Sequence, residues 1–155
     1  MKARDVRCLP DSSRRGVVWS AEHATGNSEI DEQHARILEL VNAAHAAAST
    51  GAGASTIDLV LALLTRYLQR HFVAEEQLMR SVAYPGLTEH AEHHAWCLQE
   101  LQRRLDDYHE GRSDLDSLLN LVCDWLDQHT LSRDKELAVF LRHRATATET
   151  AAARA

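Results

Sequence analysis

Residues 56–81 read TIDLVLALLTRYLQRHFVAEEQLMRS. Apolar side chains recur at three- and four-residue steps, at Ile57, Val60, Leu64, Leu68 and Leu78. That is the period of a helix with one apolar stripe. His71 and Glu75 stand on the same stripe, where a core-facing residue is expected. A titratable group there is costly unless it is paired or bound to metal. This segment therefore predicts a helix that carries both core and chemistry.

Three more segments share the period. Residues 29–48 carry Ile30, His34, Ile37, Val41, Ala44 and Ala48 on one stripe. Residues 86–110 carry Leu87, His90, His94, Cys97, Leu101, Leu105 and Tyr108. Residues 114–143 carry Leu115, Leu118, Val122, Trp125 and His129, and the stripe resumes at Asp134, Leu137 and Leu141. Ser28, Ser55 and Ser113, each with an acid three residues on (Asp31, Asp58 and Asp116), are the expected helix starts. Gly51 and Gly53, the Tyr84-Pro85-Gly86 turn, and Gly111 are the expected stops. No strand-period run competes. Four long helices with short connections predict an all-α, up-down-up-down antiparallel four-helix bundle.

The bundle is expected over residues 19–144. Residues 1–18 read as an N-terminal arm and 145–155 (ATATETAAARA) as a flexible tail without a stripe. The basic N-terminus lacks the apolar region of a secretory signal. No apolar run approaches the roughly 18 residues of a membrane span. The net charge of −6 disfavours nucleic acid and anionic membrane surfaces as partners. Cys8, Cys97 and Cys123 form an odd set without a CxxC, as expected of reduced thiols in a cytoplasmic protein. The sequence sets no oligomeric state, and a monomer is compatible with it.

Ten histidines in 155 residues point to metal or proton chemistry. His71 and Glu75 are four apart, as are His90 and His94, so each pair shares one helix face. One such pair recurs by chance. Two on consecutive helices, with His34 and His129 on their own stripes, make a specific set. Asp134 lies five residues after His129, about 140° away on a regular helix. The stripe slips phase between these two residues. A local widening of the π type would bring both to one site, so a distortion is expected across 129–134. Five imidazoles and two carboxylates exceed one ion and suit two, with the carboxylates bridging. The histidines exclude all-oxygen Mg²⁺ or Ca²⁺ sites, and structural Zn²⁺ prefers closed sites, usually with cysteine. Iron fits best, with manganese or zinc as chemical substitutes. His23, His45, His93, His109 and His143 lack a partner set and are expected at the surface or behind the ligands.

The stretches TGNSEIDEQH (25–34), HFVAEEQLM (71–79), YPGLTEHAEHH (84–94) and WLDQHTLSRDK (125–135), with Trp19 fifteen residues before His34, resemble hemerythrins of the single-domain bacterial kind. The resemblance covers residues 19–141 and fills all seven ligand positions. It implies two non-haem iron ions with a bridging oxo or hydroxo group, binding O₂ reversibly. It implies that His90, His94 and His129 saturate one iron. His34 and His71 would hold the other, with one position open, and Glu75 and Asp134 would bridge. NO, peroxide and azide-like anions are further ligands of such a site. Trp125, Leu126 and Leu131 are expected to wall the ligand pocket. His93, Cys97 (with Trp96 beside it as the nearest aromatic) and Thr130 depart from the family's usual residues. The expected function is oxygen storage or delivery rather than catalysis. The alternatives are an O₂ or redox sensor acting on a separate partner, and a di-iron enzyme handling peroxide or nitric oxide.

Overall fold

A computed structural model describes residue 20 and residues 23–152. The arm over 1–18, Cys8, Trp19 and residues 153–155 lie outside the described residues. Helix α1 spans Ser28–Ser49, α2 Ala54–Ser81, α3 Leu87–His109 and α4 Leu115–His129. A π-helical turn, Thr130–Asp134, joins α4 to α5, Lys135–Ala152, in one rod. No strand occurs among the described residues. The helix links 50–53, 82–86 and 110–114 are short, so consecutive helices run antiparallel. Each of α1 to α4 packs on two neighbours, and the α1–α4 contact closes the ring. This is the expected up-down-up-down four-helix bundle. The terminal helix continues through Ala152, past the expected boundary at 144, and residues 142–147 are exposed on it.

The helix starts differ from the expected serines by one or two residues. Asn27 caps α1, its Oδ1 accepting from the amides of Glu29 and Ile30. Asp31 instead accepts from the amide and hydroxyl of Thr25. Asp114, not Ser113, caps α4 by accepting from Ser117 N–H at 2.7 Å. Helix α2 starts from Gly53 with no side-chain cap, and Asp58 lies 3.3 Å from His109 of α3. Asn and Asp are at least as good caps as Ser, so the acceptor one position earlier or later takes the role. Gly51 and Gly111 both adopt φ +71 just past helix ends, where a side chain would be strained.

Helix polarity splits the interior in two. Ile37, Val41, Leu64, Leu101, Leu118 and Val122 are almost wholly buried. They fill the half of the bundle holding the end of α1 and the start of α2. In the other half the same stripes run into His34, His71, Glu75, His90, His94, His129 and Asp134, all buried. One half is therefore an apolar core and the other a polar one. The stripe of α2 is centred on Leu61, Phe72 and Met79, which are buried, while Val60 and Leu78 lie at its margin. Ala48 falls outside the core on the exposed last turn of α1.

Candidate metal centre

Each helix brings its polar residues to the same end for a local reason. On α2 and α3 the i, i+4 spacing stacks His71 over Glu75 and His90 over His94 on one face. On the fourth rod, the π-turn inserts the extra residue that five-residue spacing requires. The expected distortion thus coincides with Thr130–Asp134.

The imidazole Nε2 atoms converge. His34 and His71 approach at 2.9 Å, His90 and His129 at 2.8 Å, and His94 and His129 at 3.1 Å. Glu75 Oε2 lies 3.2 Å from the Nε2 atoms of both His90 and His94. Asp134 spans the two groups. Its Oδ1 is 3.1 Å from His129 and 3.2 Å from His90, and its Oδ2 is 3.3 Å from His34. Glu75, His90, His94 and His129 each present one donor atom within 4.8 Å of all the others.

These contacts cannot all be hydrogen bonds. His129 Nε2 carries either one hydrogen or one lone pair, yet three polar atoms stand within 3.1 Å of it. The carboxylate oxygens of Glu75 and Asp134 are buried and have no hydrogen-bond partner. The tautomers sharpen the point. His71 Nδ1–H donates to Gln33 Oε1 at 2.9 Å, and His94 Nδ1–H donates to Glu76 Oε1 at 3.3 Å. Both oxygens can only accept, so Nδ1 holds the hydrogen and the neutral ring turns its Nε2 lone pair inward. Lone pairs and carboxylates facing one another call for cations between them. The separations agree: with metal–nitrogen bonds of about 2.1 Å, neighbouring donors of an octahedral ion stand about 3.0 Å apart. The residues present fit a bound metal pair.

Charge follows the same pattern. Burial, reinforced by His34, holds His71 down at a pKa of about 3. Burial alone would lower His90 too, but Asp134 and Glu75 outweigh it and lift it to about 9. Burial would raise Glu75, and the nearby Asp134 charge adds to that, yet the close imidazoles of His90 and His94 bring it down to about 2. Asp134 is likewise held below the usual carboxylate range, burial being overcome by His129 and His90.

Residues 25–141 match the family model of the Hemerythrin HHE cation binding domain. The chain belongs to the hemerythrin family. It is 30% identical over 127 residues to a bacteriohemerythrin of Pseudomonas aeruginosa (strain UCBPP-PA14), covering 82% of each chain. A bacteriohemerythrin of Methylococcus capsulatus (strain Bath) is 31% identical over 124 residues, covering 77% of this chain and 92% of its own. A crystal structure of wild-type hemerythrin superposes with a TM-score of 0.71 at 29% identity, covering 78% of this chain and 94% of that one.

Within this hemerythrin bundle all seven expected ligands meet at one end, and the expected wall is partly redrawn. Trp125 is buried and stacks on His129, with ring centroids 4.3 Å apart and planes 16° apart. Leu126 is buried beside it. Leu131 is not part of the wall: it is 44% exposed, because two residues past His129 the helix has turned it outward. Trp96 is 54% exposed and takes no interior role. Phe72 does, stacking on His94 at 4.0 Å with planes 7° apart. His93 is exposed, 3.4 Å from Arg133. His23 is not at the surface but buried between Ser20 and Asp127, 2.8 Å from each. Cys97 and Cys123 are buried as thiols, and burial pushes Cys97 up to about 12, leaving it unreactive. Thr130 is fully buried, and its hydroxyl has no hydrogen-bond partner.

Gln33, Glu76 and Phe72 escaped the sequence reading. Gln33 and Glu76 each adjoin a ligand in sequence, but both sit at the half-buried margin of the stripe, where periodicity gives no signal. Phe72 was detectable, since Leu68, Phe72, Glu75 and Met79 form a helical face.

Proposed function

We propose that the protein binds O₂ reversibly at a pair of non-haem iron ions, as an oxygen store or delivery protein in the cytoplasm. A ferrous pair held there would supply the two electrons that reversible binding of the diatomic ligand requires. The reading rests above all on Asp134, whose two oxygens face different histidine groups, as a carboxylate between two cations must. His90, His94 and His129 would hold one ion, with His34 and His71 at the other. Glu75 and Asp134 would lie between them. The side with fewer histidines is the one left able to accept an exogenous ligand. Gln33 and Glu76 fix the rings of His71 and His94, so that their Nε2 lone pairs stay directed inward. Trp125 and Leu126, both buried, would keep water from this end and so slow proton access to a diatomic ligand held there. No helix of the described residues is long and apolar enough to cross a membrane.

The test is anaerobic loading with ferrous iron, followed by metal counting and optical spectra before oxygen, after oxygen and after degassing. Two irons per chain and a visible charge-transfer band that comes and goes with oxygen are expected. One iron per chain, or a band that does not reverse, overturns the reading. Steady turnover of peroxide or nitric oxide would replace a carrier with an enzyme.

A further inference from the structure

The two halves of the cluster are supported differently. On one side stand His90, His94 and His129 with Glu75 Oε2, four donors mutually within 4.8 Å. On the other stand His34 and His71, 2.9 Å apart, with Asp134 Oδ2 3.3 Å from His34.

The surroundings widen the difference. His94 is stacked face to face on Phe72, and His129 on Trp125. His71 meets the same Phe72 ring only at 5.5 Å and a 53° tilt, and it meets His34 edge-on at 72°. Two rings of the three-histidine half are thus held on a face, and one of them, His94, is also held at its Nδ1 edge by Glu76. Behind them the acceptors also differ. His94 Nδ1–H donates to a carboxylate, that of Glu76, whose other oxygen accepts from Arg80 at 2.8 Å. His71 Nδ1–H donates to a neutral amide, that of Gln33. A carboxylate behind an imidazole raises the basicity of its metal-facing nitrogen more than an amide does. Rigid, preset donors also lose less freedom when they bind.

We propose that the centre fills in a set order, with the first divalent ion entering the Glu75–His90–His94–His129 half and Glu76 acting as the positioning residue that secures this preference. The second ion then enters between His34, His71 and the bridging carboxylates. The chain accordingly has a one-metal state with a defined location. This rests on the reading of the cluster as a two-metal centre, and it adds which half is occupied first and why.

The experiment is titration of the metal-free, full-length protein with Co²⁺ alone, followed by calorimetry and by the cobalt absorption spectrum. Two resolved steps of one equivalent each are expected. Glu76→Gln keeps the shape of a half-buried residue and is expected to weaken the first step about 10- to 100-fold, with the second step little changed. His34→Ala is expected to keep the first step and its spectrum while abolishing the second. Circular dichroism of each variant checks that the helices remain. A single cooperative uptake of two equivalents, an unchanged first step in Glu76→Gln, or loss of the first step in a folded His34→Ala would each overturn the ordered filling. A wild-type chain that takes two irons and oxygen reversibly but fills in one step would sink this inference and leave the oxygen reading standing.

Discussion

Asp134 lies five residues beyond His129, yet its Oδ1 is 3.1 Å from His129 Nε2. On a regular helix the two would point about 140° apart. The π-turn over Thr130–Asp134 absorbs one residue, so Asp134 arrives about where a residue four along would sit. The turn is held from outside by Arg133, which reaches Glu89 of α3 at 3.2 Å and Glu136 of α5 at 3.4 Å. A locally irregular helix thereby delivers a carboxylate to both halves of the cluster.

Asp134→Asn therefore separates shape from charge. The side chain keeps its size and position but loses the anion shared by two cations. Binding of the second metal ion is expected to weaken by more than about 100-fold, beyond what changes behind the ligands achieve. Metal analysis after gel filtration should then find close to one ion per chain with the helical spectrum unchanged. A variant that retains two tightly held ions would show that Asp134 does not bridge.

The shifted histidines fix a pH signature. In the metal-free chain His90 is raised from 6.5 to about 9, so its contribution to stability is complete below pH 6.5 and is lost as pH rises through 9. His71 is lowered from 6.5 to about 3, so its contribution is present above pH 6.5 and fades as pH falls toward 3. Glu75, lowered from 4.5 to about 2, contributes above 4.5 and is lost as pH falls through 2. Metal-free stability should peak near pH 6.5 and decline on both sides in urea unfolding. Metal must also displace the proton held by His90. About one proton per chain from this residue should appear at pH 7, vanishing above pH 9. Calorimetry in buffers of different ionisation enthalpy measures it, and binding at pH 7 with no proton release would contradict the charge pattern.

The redrawn pocket wall is tested by a pair of truncations. Trp125 is buried against His129, so Trp125→Ala is expected to cost about 3–5 kcal/mol in unfolding experiments. It should also shorten the lifetime of the oxygenated protein by admitting water. Leu131 is exposed, and Leu131→Ala should stay within about 0.5 kcal/mol with no change in lifetime. Equal effects from the two would restore Leu131 to the wall.

How far the sequence could be read depended on whether a signal was local and periodic. The four stripes carried helix number, direction and the ligand-bearing faces, because burial repeats with the helical turn. The phase slip after His129 even announced the π-turn. Leu131, expected in the pocket wall for its apolar side chain beside His129, stands on no stripe, and inside the distorted turn it faces outward. Cap residues moved by a position or two, since Asn27, Ser28, Ser113 and Asp114 all offer acceptors and geometry alone chooses. His23 was beyond reach, because its partner Asp127 lies 104 residues along the chain. Gln33 and Glu76 were invisible because their work is to support a ligand ring from the edge of the stripe, where burial is incomplete.

Removing the metal should loosen one end of the bundle and spare the other. The seven clustered groups are nearly all of the polar side chains buried between the helices, and without cations lone pairs and carboxylates face one another there. A metal that binds only the folded chain adds about 2.7 kcal/mol at a free concentration one hundred times its Kd. For a chain of 155 residues this corresponds to a melting temperature higher by about 5–10 °C. Hydrogen exchange locates the effect. On anaerobic chelation, amides around His34, His71–Glu75, His90–His94 and the π-turn should exchange faster. Those around Leu64, Leu101 and Leu118 should keep their protection, because that half is closed by apolar packing alone. Uniform loss of protection would mean that the two halves fold as one unit, and an unchanged melting temperature would mean that the buried cluster does not depend on metal.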